Sequence, residues 1–228
     1  MHGYDIDFAE GVYRHARIAW DYGLKGPQIR FAWPSAGAPL GYAYDRDSAL
    51  VARDDLAVLL LRLLRESDLR LSLVGHSMGA FLVMEALRQG ALGGDGGRLD
   101  RLAGVTLISP DIDVDPFRAQ AEALAPLPRP FVVAVTRNDR LLRLSSLLAQ
   151  GQTRLGAVDD LARLEGLGIY VVDMTGLGTN GGNHFLPGTS PSAIALIRGL
   201  REAGPPPTSN IALEPVRIAL DPLRALAK

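Results

Sequence analysis

Four short apolar runs, Leu69–Val74, Leu102–Ile108, Phe131–Thr136 and Gly168–Asp173, limit what this chain can fold into. Each is rich in leucine or β-branched residues and ends at turn formers, so each reads as a β-strand. Segments with helical spacing separate and follow them: Met78–Arg88, Phe117–Leu124, Leu141–Ala149, Val158–Glu165 and Ser190–Glu202. Strands that are apolar throughout are buried on both faces, and strands that alternate with helices pair in parallel. The expected class is therefore α/β, a mostly parallel central sheet with helices on both faces.

The upstream part follows the same logic. Phe8, Val12, Ala16, Ala19 and Trp20 recur at helical spacing within Asp7–Tyr22, and Gly23 with Gly26–Pro27 ends that helix. Ile29–Trp33 reads as a further strand, Pro34–Asp45 as a loop and Arg46–Glu66 as a long helix. Gly90–Asp100 reads as a flexible glycine-rich connection, and Thr175–Gly188 as a second glycine-rich loop. A chain of 228 residues supports one sizeable core. Residues 1–203 are expected to form one domain. Residues 204–228 form a proline-rich linker and a weakly amphipathic tail that can pack back on the body or join a second copy.

Composition excludes several functions. Twenty-four basic residues against 25 acidic ones give a net charge of −1, which provides no bulk attraction for nucleic acid or an anionic membrane, although it leaves room for a local patch. There is no cysteine, so thiol catalysis, disulfides and cysteine metal sites are all absent. No apolar stretch is long enough to span a bilayer and no signal segment is visible, so a cytoplasmic protein is expected. The aspartates Asp111, Asp113 and Asp115 lack neighbouring histidine ligands, so no metal is expected, and the glycines of "VGHSMGAF" do not form G-x-G-x-x-G, so no cofactor is expected.

The chemistry sits in "GHSMG". Gly75, Ser77 and Gly79 fit G-x-S-x-G between an apolar strand and a helix, the context of a nucleophile elbow. Such a turn projects the serine Oγ above the sheet, and larger residues at either glycine would collide with neighbouring backbone. A serine hydroxyl needs a base. The histidines are His2, His15, His76 and His184. His15 falls within the first helix, and His76, adjoining the serine, points away from it as a packed neighbour. His184 lies beyond the last strand, where a loop can carry a side chain across the sheet's upper edge, and is the expected general base. The base in turn needs a carboxylate. Asp139 directly follows a strand, and the order Ser77, Asp139, His184 is that of an α/β-hydrolase. Asp111, Asp113 and Asp115 follow the preceding strand and remain alternative acids; Asp173 is less well placed. The N–H groups of Met78 and of Tyr4, in "HGY", are the candidate oxyanion donors, with Asp5 a further one.

Several segments together resemble the esterase/lipase-like α/β-hydrolases of unknown function grouped as DUF900: "HGY", "FAWPSAG", "GYAYDRDSA", "LVGHSMG", "ISPDID", "RNDRLLRLS" and "NHF", spread from His2 to His184. The resemblance implies a nucleophile at Ser77, an acid at Asp139 and a base at His184. It also directs attention to Trp33, Ser35, Tyr44 and Arg46 as pocket or supporting residues; Phe117 and Leu186 are further expected lining residues. It implies an apolar central strand ahead of "HGY" as well, where this sequence has only Met1. The sheet is therefore expected to look truncated there, with the tail segment "NIALEPVRIAL" a candidate replacement strand.

The expected activity is hydrolysis of a carboxylic ester, small or lipid-like, through an acyl-enzyme. Acyl transfer to an acceptor other than water would use the same residues. The alternative of a different class is a catalytically impaired, hydrolase-like binding or scaffold protein.

Overall fold

A computed structural model describes residues 1–148, 153–177, 184–203 and 216–218. Among the described residues, five parallel strands make one sheet in the order β1 (Ser72–His76), β2 (Gly104–Ile108), β3 (Phe131–Val135), β4 (Tyr170–Asp173) and β5 (Val216–Ile218). The helices are α1 (Phe8–Asp21), α2 (Tyr42–Glu66), α3 (Met78–Gly90), α4 (Gly96–Leu99), α5 (Val114–Ala123), α6 (Arg140–Leu148), α7 (Leu186–Thr189) and α8 (Pro191–Ala203).

The period of two along the strands divides the interior. Val105 and Leu107 of β2, Phe131 and Val133 of β3 and Val171 of β4 join Leu56, Leu60 and Leu64 of α2, Leu82 and Leu87 of α3, and Phe117 of α5 in the larger core. The opposite face is covered through Ile108, Ala134 and Val172, which pack with Met174, Leu186 and Ala193. Apolar residues are therefore needed at successive positions of β2, β3 and β4, which explains why those runs do not alternate, whereas β1 at the edge leaves Ser72 and Val74 exposed. Burying each such side chain contributes about 1.5–3 kcal/mol relative to exposure.

Most helix boundaries shift by only a residue or two from expectation, but α2 begins earlier. Asp45, in its first turn, is buried and accepts from the Ala36 and Asp5 N–H groups and the Ser35 hydroxyl, so "GYAYD" is helical where its glycine and polar residues suggest a loop. Gly90–Asp100 is likewise mostly helical: a π-turn at Ala91–Asp95 runs into α4, with positive-φ Gly94 absorbing the kink. Val158–Glu165 tightens to a 3₁₀ turn at Leu161–Leu164, and Thr175–Gly188 includes the start of α7.

The edge beside β1 differs most. Ile29–Trp33 is not a strand. An extended run becomes a strand only when a neighbour pairs with its backbone, and this one makes its contacts through side chains instead. Trp33 Nε1 donates to His2 O at 3.1 Å, and the Arg30 guanidinium lies over the Phe8 ring. Met1 lies between this segment and β1: its amino group donates to Val74 O at 2.8 Å, and His76 N donates to Met1 O at 3.2 Å. The tail residues Val216–Ile218 do join the sheet, but against β4, at the edge opposite β1.

Candidate active site

The turn between β1 and α3 carries Ser77 with φ 54° and ψ −122°, left-handed backbone that a residue with a Cβ adopts at a cost of about 1–3 kcal/mol. Two adjacent strands hold it there. Ser77 N donates to Ile108 O at 2.9 Å, and Ser77 O accepts from Ala80 N and Asp111 N. The glycines either side are required by space. A Cβ on Gly75 would lie 2.7 Å from Ala80 Cα, and one on Gly79 would lie 2.2 Å from His2 O. The "HGY" segment therefore runs directly over the elbow, and a Cβ on Gly3 itself would come within 2.9 Å of Ser77 Cβ.

Asp139, fully buried after β3, accepts from the Leu141 and Leu142 N–H groups with Oδ1, capping α6. Its Oδ2 lies 2.7 Å from His184 Nδ1. A carboxylate only accepts, so Nδ1 carries the proton and Nε2 of the neutral ring is left as the basic nitrogen. Ser77 and His184 line one small recess of about 30 Å³ together with Tyr4, Tyr42, Asp111, Leu141, Leu142, Leu144 and Ser145. Tyr4 is held at its rim by a hydrogen bond from its hydroxyl to Pro39 O.

The alternative acids are engaged elsewhere. Asp113 caps α5, Asp115 pairs with Arg163, and Asp173 pairs with Arg137 at 2.9 Å. Asp111 forms a buried polar wall of the recess. It accepts from the Tyr42 hydroxyl at 2.9 Å and the Ser145 hydroxyl at 2.9 Å, while its backbone carbonyl accepts from Arg46. Arg154 Nε lies 3.1 Å from Asp111 Oδ1, close enough for an ion pair but without the alignment of an N–H···O bond. Burial, and then the Asp111 charge, push the Tyr42 hydroxyl up to about 12, so it remains a protonated donor. Asp5 N–H is already bonded to Asp45, which leaves Tyr4 and Met78 as the oxyanion candidates.

The other expected lining residues lie outside this recess. Trp33 and Ser35 line a separate cavity of about 260 Å³ with His2, Ile6, Phe8, Arg30, Ala32 and Pro34. Tyr44 is largely exposed, Arg46 stacks on Phe81, and Phe117 and Leu186 belong to the two cores. Sequence reasoning did not single out Tyr42, Asp111 with Ser145 and Arg154, or the leucines of α6 as lining groups. The hydroxyl and charge in "GYAYD" and the leucines after "RND" are the only local signals.

His76 is buried, and its Nε2 donates to His184 O at 3.0 Å while its ring packs on Phe185. It ties the base-bearing segment to the end of β1. Burial, then the neighbouring His184, hold its pKa well below the usual histidine value, so it is neutral.

The family model described as an alpha/beta hydrolase of unknown function (DUF900) matches residues 1–198. The chain belongs to this family. As a DUF900 member it carries the α/β-hydrolase fold, and general hydrolase chemistry is the activity the family supports. No curated protein and no solved structure matches it. Among the described residues, no helix is long and apolar enough to cross a membrane.

Proposed function

We infer that this DUF900 protein is a serine hydrolase that cleaves a carboxylic ester, with Ser77 as nucleophile, His184 as general base and acid, and Asp139 as the carboxylate that orients the imidazole. The observation carrying this reading is the 2.7 Å contact between His184 Nδ1 and buried Asp139 Oδ2 at a recess that strained Ser77 also lines. His184 Nε2 takes the Ser77 proton as Oγ forms its bond to the ester carbonyl carbon. The N–H groups of Met78 and Tyr4 receive the developing oxyanion, each such donor being worth about 3 kcal/mol. The protonated imidazole passes its proton to the departing alkoxide as the ester C–O bond breaks. Water, deprotonated by the same nitrogen, then releases the acid and regenerates Ser77. Asp139 stays ionised throughout.

The narrow recess fits a short acyl group. Its open side, where Leu141 and Leu144 are about half exposed, leaves room for a large alcohol portion. Residues 1–203 are the hydrolytic unit in this reading, and 204–228 its tail. The test is turnover of p-nitrophenyl acetate and butyrate by the native chain and by Ser77→Ala. Hydrolysis lost in the variant supports the reading. No turnover by the folded native chain, or unchanged turnover in Ser77→Ala, would favour a binding protein or a different nucleophile.

A further inference from the structure

The open side of the recess is formed by α6, and this helix exposes an unusual surface. Successive residues turn by about 100° around a helix axis. Arg143, Leu147, Arg140, Leu144 and Leu141 therefore lie side by side over an arc of about 160°, with Leu142 and Ser145 on the buried side. Leu141, Leu144 and Leu147 are 48%, 54% and 74% exposed. Both arginines are exposed, and among the described residues neither forms an ion pair with a carboxylate. No acidic residue shares the arc. Leu40 is also fully exposed, next in sequence to Pro39, whose carbonyl accepts from the hydroxyl of the lining residue Tyr4. The α6 leucines thus border the entrance, and cationic groups stand among them.

A solvated helix face ordinarily carries mixed charges. Leucines and arginines alone match a surface that is apolar beneath and negatively charged at its boundary, such as a bilayer containing anionic phospholipid. The net charge of −1 for the whole chain is no obstacle, because attraction at the surface is local and fades within a Debye length. We propose that the exposed face of α6 docks this protein on an anionic lipid surface and presents the Ser77 recess to an ester held there. The proposal rests on the hydrolase reading for the role of Ser77, but the docking itself does not require turnover.

The test is flotation of the full 228-residue chain with phosphatidylcholine vesicles, with and without phosphatidylglycerol. Binding is expected only with phosphatidylglycerol and should weaken as salt rises. Arg140→Gln with Arg143→Gln should lower the partition coefficient roughly 30-fold, from about fivefold per charge. Leu147→Asp should lower it as well, and both variants should hydrolyse a soluble short-chain ester at the native rate. Ser77→Ala should float like the native chain, which separates a failure of docking from a failure of the hydrolase reading. Failure of the native chain to float with phosphatidylglycerol would overturn the proposal. So would equal flotation of both α6 variants, or a native dimer that Leu147→Asp splits, since a second copy would then cover the leucines.

Discussion

Replacing Asp139 by Asn should disable the site while leaving the fold standing, and the structure indicates why. Asp139 Oδ1 accepts two N–H groups at the start of α6, and Oδ2 faces His184 Nδ1 at 2.7 Å. An asparagine has a single acceptor oxygen. The capping N–H groups claim it, which turns the amide NH₂ toward His184. Two donors cannot share that contact, so the imidazole must move its proton to Nε2, the nitrogen that has to accept from Ser77. Wrong-tautomer replacement of this kind lowers kcat about 10⁴-fold, or ~5.5 kcal/mol of barrier. The caps survive, so stability should change little. Asp139→Ala loses them and should cost a further ~0.5–2 kcal/mol. The assay pairs steady-state hydrolysis of p-nitrophenyl butyrate with urea unfolding of each variant. A folded Asp139→Asn that retains activity within tenfold of native would refute the reasoning.

Other expectations follow from the same geometry. Gly79→Ala would put a methyl group 2.2 Å from His2 O and displace the "HGY" segment, so ester turnover should fall at least 100-fold by loss of an oxyanion donor, measured in the same assay. Arg154→Met leaves the buried Asp111 carboxylate without its cation and should cost about 3–5 kcal/mol in urea unfolding; a loss under 1 kcal/mol would mean the pair is structurally idle. The depressed pKa of His76 makes the unfolded state the better proton acceptor below the ordinary histidine value, so stability should be full above pH ~6.5 and decline as pH falls from there toward the folded value. His2, lowered to about 4 mainly by burial, acts in the same direction over pH 6.5 to about 4. A His76→Gln variant should show a shallower decline, and an unchanged slope would contradict the assignment.

The parts of the fold visible in the sequence were those fixed by local pattern. Strands β2 to β4 stood out because burial on both faces demands continuous apolar residues, β1 because buried Leu73 alternates with exposed positions, and the elbow because only glycine fits beside Ser77. Ile29–Trp33 has the composition of a strand but not the partner, and pairing is a property of the neighbour. The first turn of α2 was hidden because Asp45 is satisfied by Asp5, Ser35 and Ala36, contacts no local window reveals. The contact of Asp139 with His184 spans 45 residues, yet strand-end reasoning brought both to one edge. The wall built by Tyr42, Asp111, Ser145 and Arg154 had no such guide, since its members come from four separate segments.

The most direct measurement is the site of covalent capture. A fluorophosphonate should add once per folded chain, and peptide mapping by mass spectrometry should place the adduct on Ser77. The rate should collapse in His184→Ala, whose serine has no proton acceptor. An adduct on another residue, or capture at the native rate in His184→Ala, would contradict the account.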